Sequence, residues 1–285
     1  MAQVVVIAES HNAVVGYNTL VVNKPTGTQD GDLMIMLATR TDDVIATPSG
    51  WTLKDSDTSA SGTNKYSYLF YKVASSEGSS YSITTPAPGN NGAVATIVTL
   101  RNQHGTPFDA QSKNVDTTSD STVNGSAVTP STSPFSLLLV FSAAYSNTGT
   151  TPPTFSAQAV ANNNPTWTEA CDFGTYHGGT SCVSLNCAYG VRDFITSTGA
   201  FTSTVTVDSY STTYLVSIKP ADMGADAVFA LTSTQSGSES MAATPANSSI
   251  FTLTSSASGE PSTGESKWKN PDKNSSTWIN QDKTP

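Results

Sequence analysis

Short runs of β-branched and aromatic residues alternate along most of this chain with clusters of Gly, Pro, Asn, Asp and Ser. The runs have the two-residue period of strands, and no amphipathic stretch of helical length interrupts them. We therefore predict an all-β chain folded as an antiparallel β-sandwich of jelly-roll-like form. The predicted strands centre on residues 4–8, 14–22, 33–39, 66–73, 81–84, 94–100, 137–143, 183–191, 201–207 and 214–218.

A weak internal repeat orders these strands. Residues 24–102 contain the apolar run LMIML followed by the turn PSGWTL, and residues 130–220 contain LLLVF followed by NPTWTE. Each half has too few strands to bury both faces of its sheet, whereas two such halves can pack as one sandwich. We predict one sandwich domain over residues 1–220, in which Trp51 and Trp167 each begin a strand and cap one end of the core.

The composition changes after this domain. Residues 221–265 are rich in Ser and Thr, with short apolar runs at 227–231 and 250–253. This composition is typical of a tether, here with one or two added short strands.

The end of the chain, residues 266–285, contains the motif Trp-x-Asn-x-Asp-Lys twice, with the two copies ten residues apart. An even spacing places both Trp on the same side of an extended chain, and Pro271 opposes a helix. We interpret the segment as an extended docking tail whose Trp side chains fill pockets on another chain or another copy of this one. A disordered terminus is the alternative. The predicted partner-binding residues are Trp268, Asn270, Asp272, Lys273, Trp278, Asn280, Asp282 and Lys283.

Charge and hydropathy restrict the partners. Charged residues make up 12% of the chain and the net charge is −9. Because no Lys/Arg cluster can neutralise phosphates, we expect no nucleic-acid partner. No run of about 18 apolar residues occurs, so we expect no membrane insertion. The first residues, MAQVVVIAESHN, lack the basic segment of a secretory signal, so we expect synthesis without a signal peptide.

Residues typical of catalysis are few. The His residues lie in no catalytic motif and no phosphate-binding loop occurs, so we expect neither an enzyme nor a cofactor. Asp30 and Asp32 flank a glycine and could ligate calcium, although such a pair is more typical of a turn.

Three cysteines, Cys171, Cys182 and Cys187, lie close to His177 in the sequence. Their odd number opposes a disulfide framework, and their spacing matches no standard zinc site. We interpret them as buried, small apolar residues on neighbouring strands and expect no metal.

Four stretches of the first half resemble a known module. They are KPTGTQDGDLMI (24–35), PSGWTL (48–53), LFYKVA (69–74) and IVTLRN (97–102). In this order they resemble a β-sandwich module of virion proteins in tailed bacteriophages, and the Trp-x-Asn-x-Asp-Lys repeat resembles tails of phage structural proteins. The resemblance implies a non-enzymatic virion component, made in the host cytoplasm and carried on the exterior of the particle.

Two functions agree with this resemblance. The first is a capsid decoration or accessory protein, anchored through its tail to capsid or tail subunits and to copies of itself. The alternative is a tail or fibre adhesin that binds host-surface glycans through an aromatic platform. The platform residues are Trp51, Tyr145, Trp167 and Tyr176. A glycan-cleaving enzyme is a third hypothesis, and it needs two carboxyl groups about 5–10 Å apart.

Overall fold

The computed structural model describes residues 3–16, 19–41, 44–58, 65–84, 91–131, 136–179 and 181–221, and the backbone of residues 252–253, 266–269 and 279–280. The chain forms two compact units, Met1–Ala221 and Asp222–Pro285. The strands pair in antiparallel fashion, and no helix occurs among the described residues. The predicted all-β antiparallel sandwich is confirmed.

The strands follow the two halves of the sequence. The first half comprises β1 (Val5–Val15), β2 (Thr19–Asn23), β3 (Leu33–Thr41), β4 (Thr52–Asp57), β5 (Lys65–Val73), β6 (Ser80–Thr84) and β7 (Gly92–Arg101). The second half comprises β8 (Gln103–Gly125), β9 (Ser136–Ser146), β10 (Phe155–Val160), β11 (Thr168–Gly178), β12 (Ser181–Arg192) and β13 (Phe201–Pro220). The second unit contains β14 (Thr252–Leu253), β15 (Ser266–Lys269) and β16 (Ile279–Asn280).

Two main sheets form the sandwich of the first unit. The first sheet has the strand order β1-β7-β3-β5-β4, and the second has the order β10-β13-β9-β12-β11, with β8 also paired to β13. Each sheet is therefore built from one half of the sequence. Apolar side chains of both sheets meet in a shared central core, which includes Leu33, Ile35, Leu37, Leu69, Val94, Val98, Leu137, Leu139, Phe141, Val183, Leu185, Cys187 and Val216.

Each main sheet is also covered on its outer face. In the first half, Leu20 of β2 and Ile83 of β6 belong to the apolar cluster that packs on Met34 and Phe70. In the second half, the beginning of β13 lies between β8 and β10, and Phe201 packs with Leu138. Strands β3 and β9 are consequently buried along their whole length. Burial on both faces explains why their sequences are continuous apolar runs rather than alternating ones.

The two halves share one strand order. The series β1, β7, β3, β5, β4 in the first sheet corresponds to β8, β13, β9, β12, β11 in the second. A register shift interrupts β4 between Leu53 and Asp55, and another interrupts β11 between Glu169 and Cys171. These two shifts fall at the same point of the two sheets. Asp55 pairs with Leu69 of β5, and Cys171 pairs with Cys187, the residue of β12 that is equivalent to Leu69. Strand register therefore gives most residues of one half an equivalent in the other.

Candidate functional site

Three segments of the chain meet at one end of the sandwich. Asn102 lies between β7 and β8 and has a left-handed φ of 66°. Its carbonyl oxygen accepts the backbone N–H of Ala221 at 2.7 Å, and its side-chain amide donates to the carbonyl oxygen of Gln3 at 3.2 Å. The beginning of the described chain, the joint between the halves and the exit toward the second unit meet here. We name this end the tether end and the opposite one the far end.

The tether end exposes two adjacent apolar side chains. Phe194 and Ile195 follow β12 and are 50% and 55% exposed. The buried guanidinium of Arg192 holds the loop beneath them, donating to the carbonyl oxygen of Thr196 at 2.7 Å and to that of Ser197 at 3.2 Å. The exposed pair is thus presented by a loop whose base is fixed by hydrogen bonds.

The second unit brings the two copies of the terminal repeat together. In the described backbone, β15 pairs with β16 so that Trp268 is opposite Asn280 and Lys269 is opposite Ile279. The other edge of β15 pairs with β14 of the tether. The remaining predicted docking residues, Asn270, Asp272, Lys273, Trp278, Asp282 and Lys283, lie outside the described residues.

The two Trp residues of the sandwich occupy equivalent positions, directly before β4 and β11. Trp51 is 6% exposed and packs edge-on against Tyr81, with ring centroids 5.2 Å apart. Trp167 packs edge-on against Phe201, and its indole N–H donates to Asn164 Oδ1 at 2.8 Å. Both therefore cap outer cores at the tether end, as the strand-start prediction implies.

The structure does not bring the four platform residues together. Tyr145 lies near the end of β9 and Tyr176 near the end of β11, both at the far end, whereas the two Trp lie at the tether end. Tyr145 is 8% exposed and stacks between His177 and Tyr210, with centroid distances of 6.3 Å to each ring. Tyr176 is 40% exposed, and its hydroxyl donates to the carbonyl oxygen of Gly179. The platform is thereby reduced to a far-end cluster with Tyr176 as its exposed ring.

The Asp30–Gly31–Asp32 turn is used for internal bonds. Both carboxylate oxygens of Asp32 accept from the Arg101 guanidinium at 2.8 Å, and Asp30 accepts the backbone N–H of Ser76 at 2.7 Å. Burial would raise the pKa of Asp32, but Arg101 and the backbone N–H of Gln29 outweigh it and lower the pKa. Calcium is therefore not needed to explain this turn.

The cysteines are free and buried. Cys171 of β11 lies directly opposite Cys187 of β12, as the interpretation of buried thiols on neighbouring strands predicts. Burial raises the pKa of Cys171 to about 12 and also raises that of Cys187 well above its ordinary value. Within the described part of the chain, no group of three or more His, Cys, Asp and Glu residues is placed to hold a metal ion.

Sequence reasoning missed a buried polar cluster between the two sheets, which we name the polar quartet. It consists of Asp57, Lys65, Thr212 and Tyr214. Lys65 Nζ lies 3.5 Å from Asp57 Oδ2 and donates to Thr212 Oγ1, which in turn donates to Asp57 Oδ2 at 2.6 Å. Tyr214 donates to the carbonyl oxygen of Ser67 at 3.0 Å. Burial lowers the pKa of Lys65 to about 8, against the opposing attraction of Asp57.

The equivalent positions on the opposite side of the sandwich hold no charged side chain, and their one polar side chain, Thr96, donates to Glu9 Oε1 at 2.9 Å. Strand register makes Phe173, Val183, Val94 and Thr96 the counterparts of Asp57, Lys65, Thr212 and Tyr214, and we name them the apolar quartet. Val94 and Val183 belong to the central core, and Phe173 packs on His11 with centroids 4.2 Å apart.

A second titratable group that the sequence did not single out is Asp172 of β11. It accepts the backbone N–H of Phe155 at 2.7 Å and so ties β11 to the start of β10. Burial, with a smaller contribution from Glu169, raises the pKa of Asp172 to about 6. Glu169 accepts from Asn186 at 3.3 Å. Both carboxylates have structural partners on the second sheet.

Comparisons with known proteins give no relative. No family model, curated protein or solved structure matches this chain. Among the described residues there is also no helix of the length and hydropathy that spanning a membrane requires.

Proposed function

We propose that this chain is a non-enzymatic structural protein on the exterior of a tailed-phage particle, where it acts as a capsid decoration or accessory protein. Its partners are other virion proteins and copies of itself, and its anchor is the C-terminal tail. The resemblance of residues 24–102 to a virion β-sandwich module is the sequence argument for this function.

The observation that carries the proposal is the arrangement of the tether end. The chain leaves the sandwich at Ala221, beside Asn102, and the exposed Phe194 and Ile195 lie at this same end. Adjacent exposed apolar side chains are suited to contact with a partner protein. We propose that Phe194 and Ile195 supply an apolar contact to a virion partner in addition to the tail.

The use of charge supports a scaffold rather than a reactive site. Four partly exposed ion pairs join neighbouring structural elements: Arg101 with Asp32, Lys72 with Glu77, Lys113 with Asp55 and Lys219 with Asp109. Charged groups of this kind stabilise packing, and the polar Ser/Thr surface suits a protein displayed at high density.

The test is reconstitution of the full chain onto particles that lack it. A variant with Trp268→Ala and Trp278→Ala is compared with a control carrying Ser275→Ala and Ser276→Ala between the two copies of the repeat. Because buried Trp anchors are each worth about 2 kcal/mol or more, we expect occupancy of the Trp variant to fall at least about tenfold. Full occupancy of the Trp variant, with the sandwich folded, would overturn tail anchoring.

The alternative, a tail or fibre adhesin, is favoured by one feature. The far-end cluster of Tyr145, His177 and Tyr210 with the exposed Tyr176 lies opposite the point where the tether leaves. A glycan array probed with the full chain and with Tyr176→Ala decides between the two functions. Glycan binding that the substitution abolishes supports the adhesin, and absence of binding supports the decoration protein.

A further inference from the structure

The polar quartet has a feature that packing does not require. Lys65 is fully buried inside the sandwich, where its amine donates to Thr212 Oγ1 and lies 3.5 Å from Asp57 Oδ2. The equivalent apolar quartet stabilises the same backbone with Phe173, Val183 and Val94. An ammonium and a carboxylate withdrawn from water cost several kcal/mol each, and their attraction often does not recover this cost. The fold therefore carries a buried amine and carboxylate where the equivalent positions of the other half have Val183 and Phe173.

The geometry points to a covalent fate for this pair. We propose that Lys65 and Asp57 condense to an intramolecular amide, with Nζ bonded to the side-chain carbonyl carbon of Asp57 and one water released. The bond would join β4, the edge strand of the first sheet, to its neighbour β5. This inference is independent of the proposed phage function.

The hydrogen bonds supply the proton path. Nζ–H of Lys65 points to Thr212 Oγ1, and Thr212 Oγ1–H points to Asp57 Oδ2. One proton passes along this relay from the ammonium to Oδ2, which leaves a neutral amine beside a carboxylic acid. The amine then attacks the carboxyl carbon, a second proton follows the same path, and the C–Oδ2 bond breaks to release water. Ammonium and carboxylate become amide and water, so atoms and charge balance without a further reactant.

Three physical effects favour the reaction here. The reactants are held in a fixed geometry, and such positioning corresponds to effective concentrations of about 10⁵–10⁸ M in well-oriented intramolecular reactions. The amide is uncharged, so its formation removes the cost of keeping two ions in the core. Burial also favours the neutral amine, because it lowers the pKa of Lys65 to about 8. Two further carboxylates act on the quartet at a distance: the charge of Asp116 raises the pKa of Lys65, and that of Asp55 raises the pKa of Tyr214.

Mass spectrometry of the full-length protein tests the proposal. After folding and incubation at mildly alkaline pH, we expect the intact protein to be lighter than its sequence by the mass of one water. Trypsin does not cleave after an acylated lysine, so residues 55–72 should appear as one cross-linked peptide that lacks a water. The full sequence mass in the folded protein, or a water loss that tandem spectra place at other residues, would overturn the amide.

Matched variants identify the reacting groups. Lys65→Arg keeps the positive charge but cannot form the bond, so we expect its full sequence mass. Asp57→Asn can still react but releases ammonia instead of water, so its mass should be lower than its own sequence by one ammonia. Thr212→Val retains the shape and removes the relay, so the mass loss after refolding should be at least about tenfold slower, in the range of a lost proton-transfer group. A loss of water that persists in Lys65→Arg contradicts the proposal, and an unchanged rate in Thr212→Val contradicts the relay.

Discussion

The polar quartet and the apolar quartet are two solutions to one packing problem. They occupy equivalent positions on opposite sides of the same sandwich, one with Asp57 and Lys65, the other with Phe173 and Val183. Strand order and bulge position are the same around both. The backbone is therefore determined by strand pairing and the shared core, and the chemistry inside each quartet is free to differ. What differs between them is more informative about function than what they share.

The largest effect should come from breaking the polar quartet. Asp57→Ala leaves Lys65 buried without its carboxylate, so relative to the chain in which the amide has not formed we expect a loss of about 3–5 kcal/mol in the free energy of unfolding. Phe173→Ala at the equivalent position removes a partly buried ring and strands no charge, so its loss should be about 1–2 kcal/mol. Urea unfolding of both variants measures the difference. Equal losses would show that the buried charge has no special cost.

Copying one quartet into the other is the next test. Asp57→Phe, Lys65→Val and Thr212→Val together give the polar side of the sandwich the residues of the apolar side. We expect this triple variant to recover about 3 kcal/mol of the stability lost in Asp57→Ala, because apolar replacements of buried ion pairs are commonly tolerated. The urea midpoint at constant m-value is the measurement. A triple variant less stable than Asp57→Ala would refute the equivalence of the two sides.

A smaller asymmetry concerns the ion pairs that end β7 and β13. Arg101 makes a two-pronged bond to buried Asp32, whereas its equivalent Lys219 lies 3.7 Å from Asp109. We expect Arg101→Gln to destabilise the fold more than Lys219→Gln, whose cost should be at most about 1 kcal/mol. The pKa of Asp32 is lowered in the folded protein, so its contribution is present at neutral pH and is lost as the pH falls through the folded-state pKa. Chemical denaturation at neutral and acid pH measures both effects, and a cost for Arg101→Gln that does not shrink in acid would contradict the pairing.

The smallest effect concerns Asp172, whose equivalent in the first half is Ser56. The pKa of Asp172 rises from 3.8 to about 6 on folding, so the folded state holds this proton more tightly than the unfolded state. The contribution of Asp172 to the stability of the fold is therefore lost as the pH rises between those two values. After discounting for solvent screening, Asp172→Asn should be more stable than the unmodified chain by about 1 kcal/mol above that window, and equal to it below. Thermal unfolding across the window checks this, and a pH-independent difference would rule it out.

The sequence predicted strands where packing leaves a local signal. The runs at 33–39 and 137–143 are apolar because both faces of β3 and β9 are covered, and Trp51 and Trp167 mark strand starts because each caps an outer core. Strand β8 was missed, since its residues 103–125 are largely polar and its conformation comes from pairing with β13. Thr212 and Asp57 are far apart in the chain, so only the folded structure reveals their cluster. The four aromatic residues of the predicted platform lie at two different ends of the sandwich, because sequence alone cannot tell one end of a sandwich from the other.

The position of β13 has a mechanical consequence. Residues 211–218 pair with both β8 and β9, and β13 ends shortly after them at Pro220. Tension transmitted through the tether along the strand direction is therefore resisted in shear, with hydrogen bonds on both flanks bearing load at once instead of opening one by one. If the tail is the anchor that we propose, β13 therefore resists a pull that draws the sandwich away from its attachment.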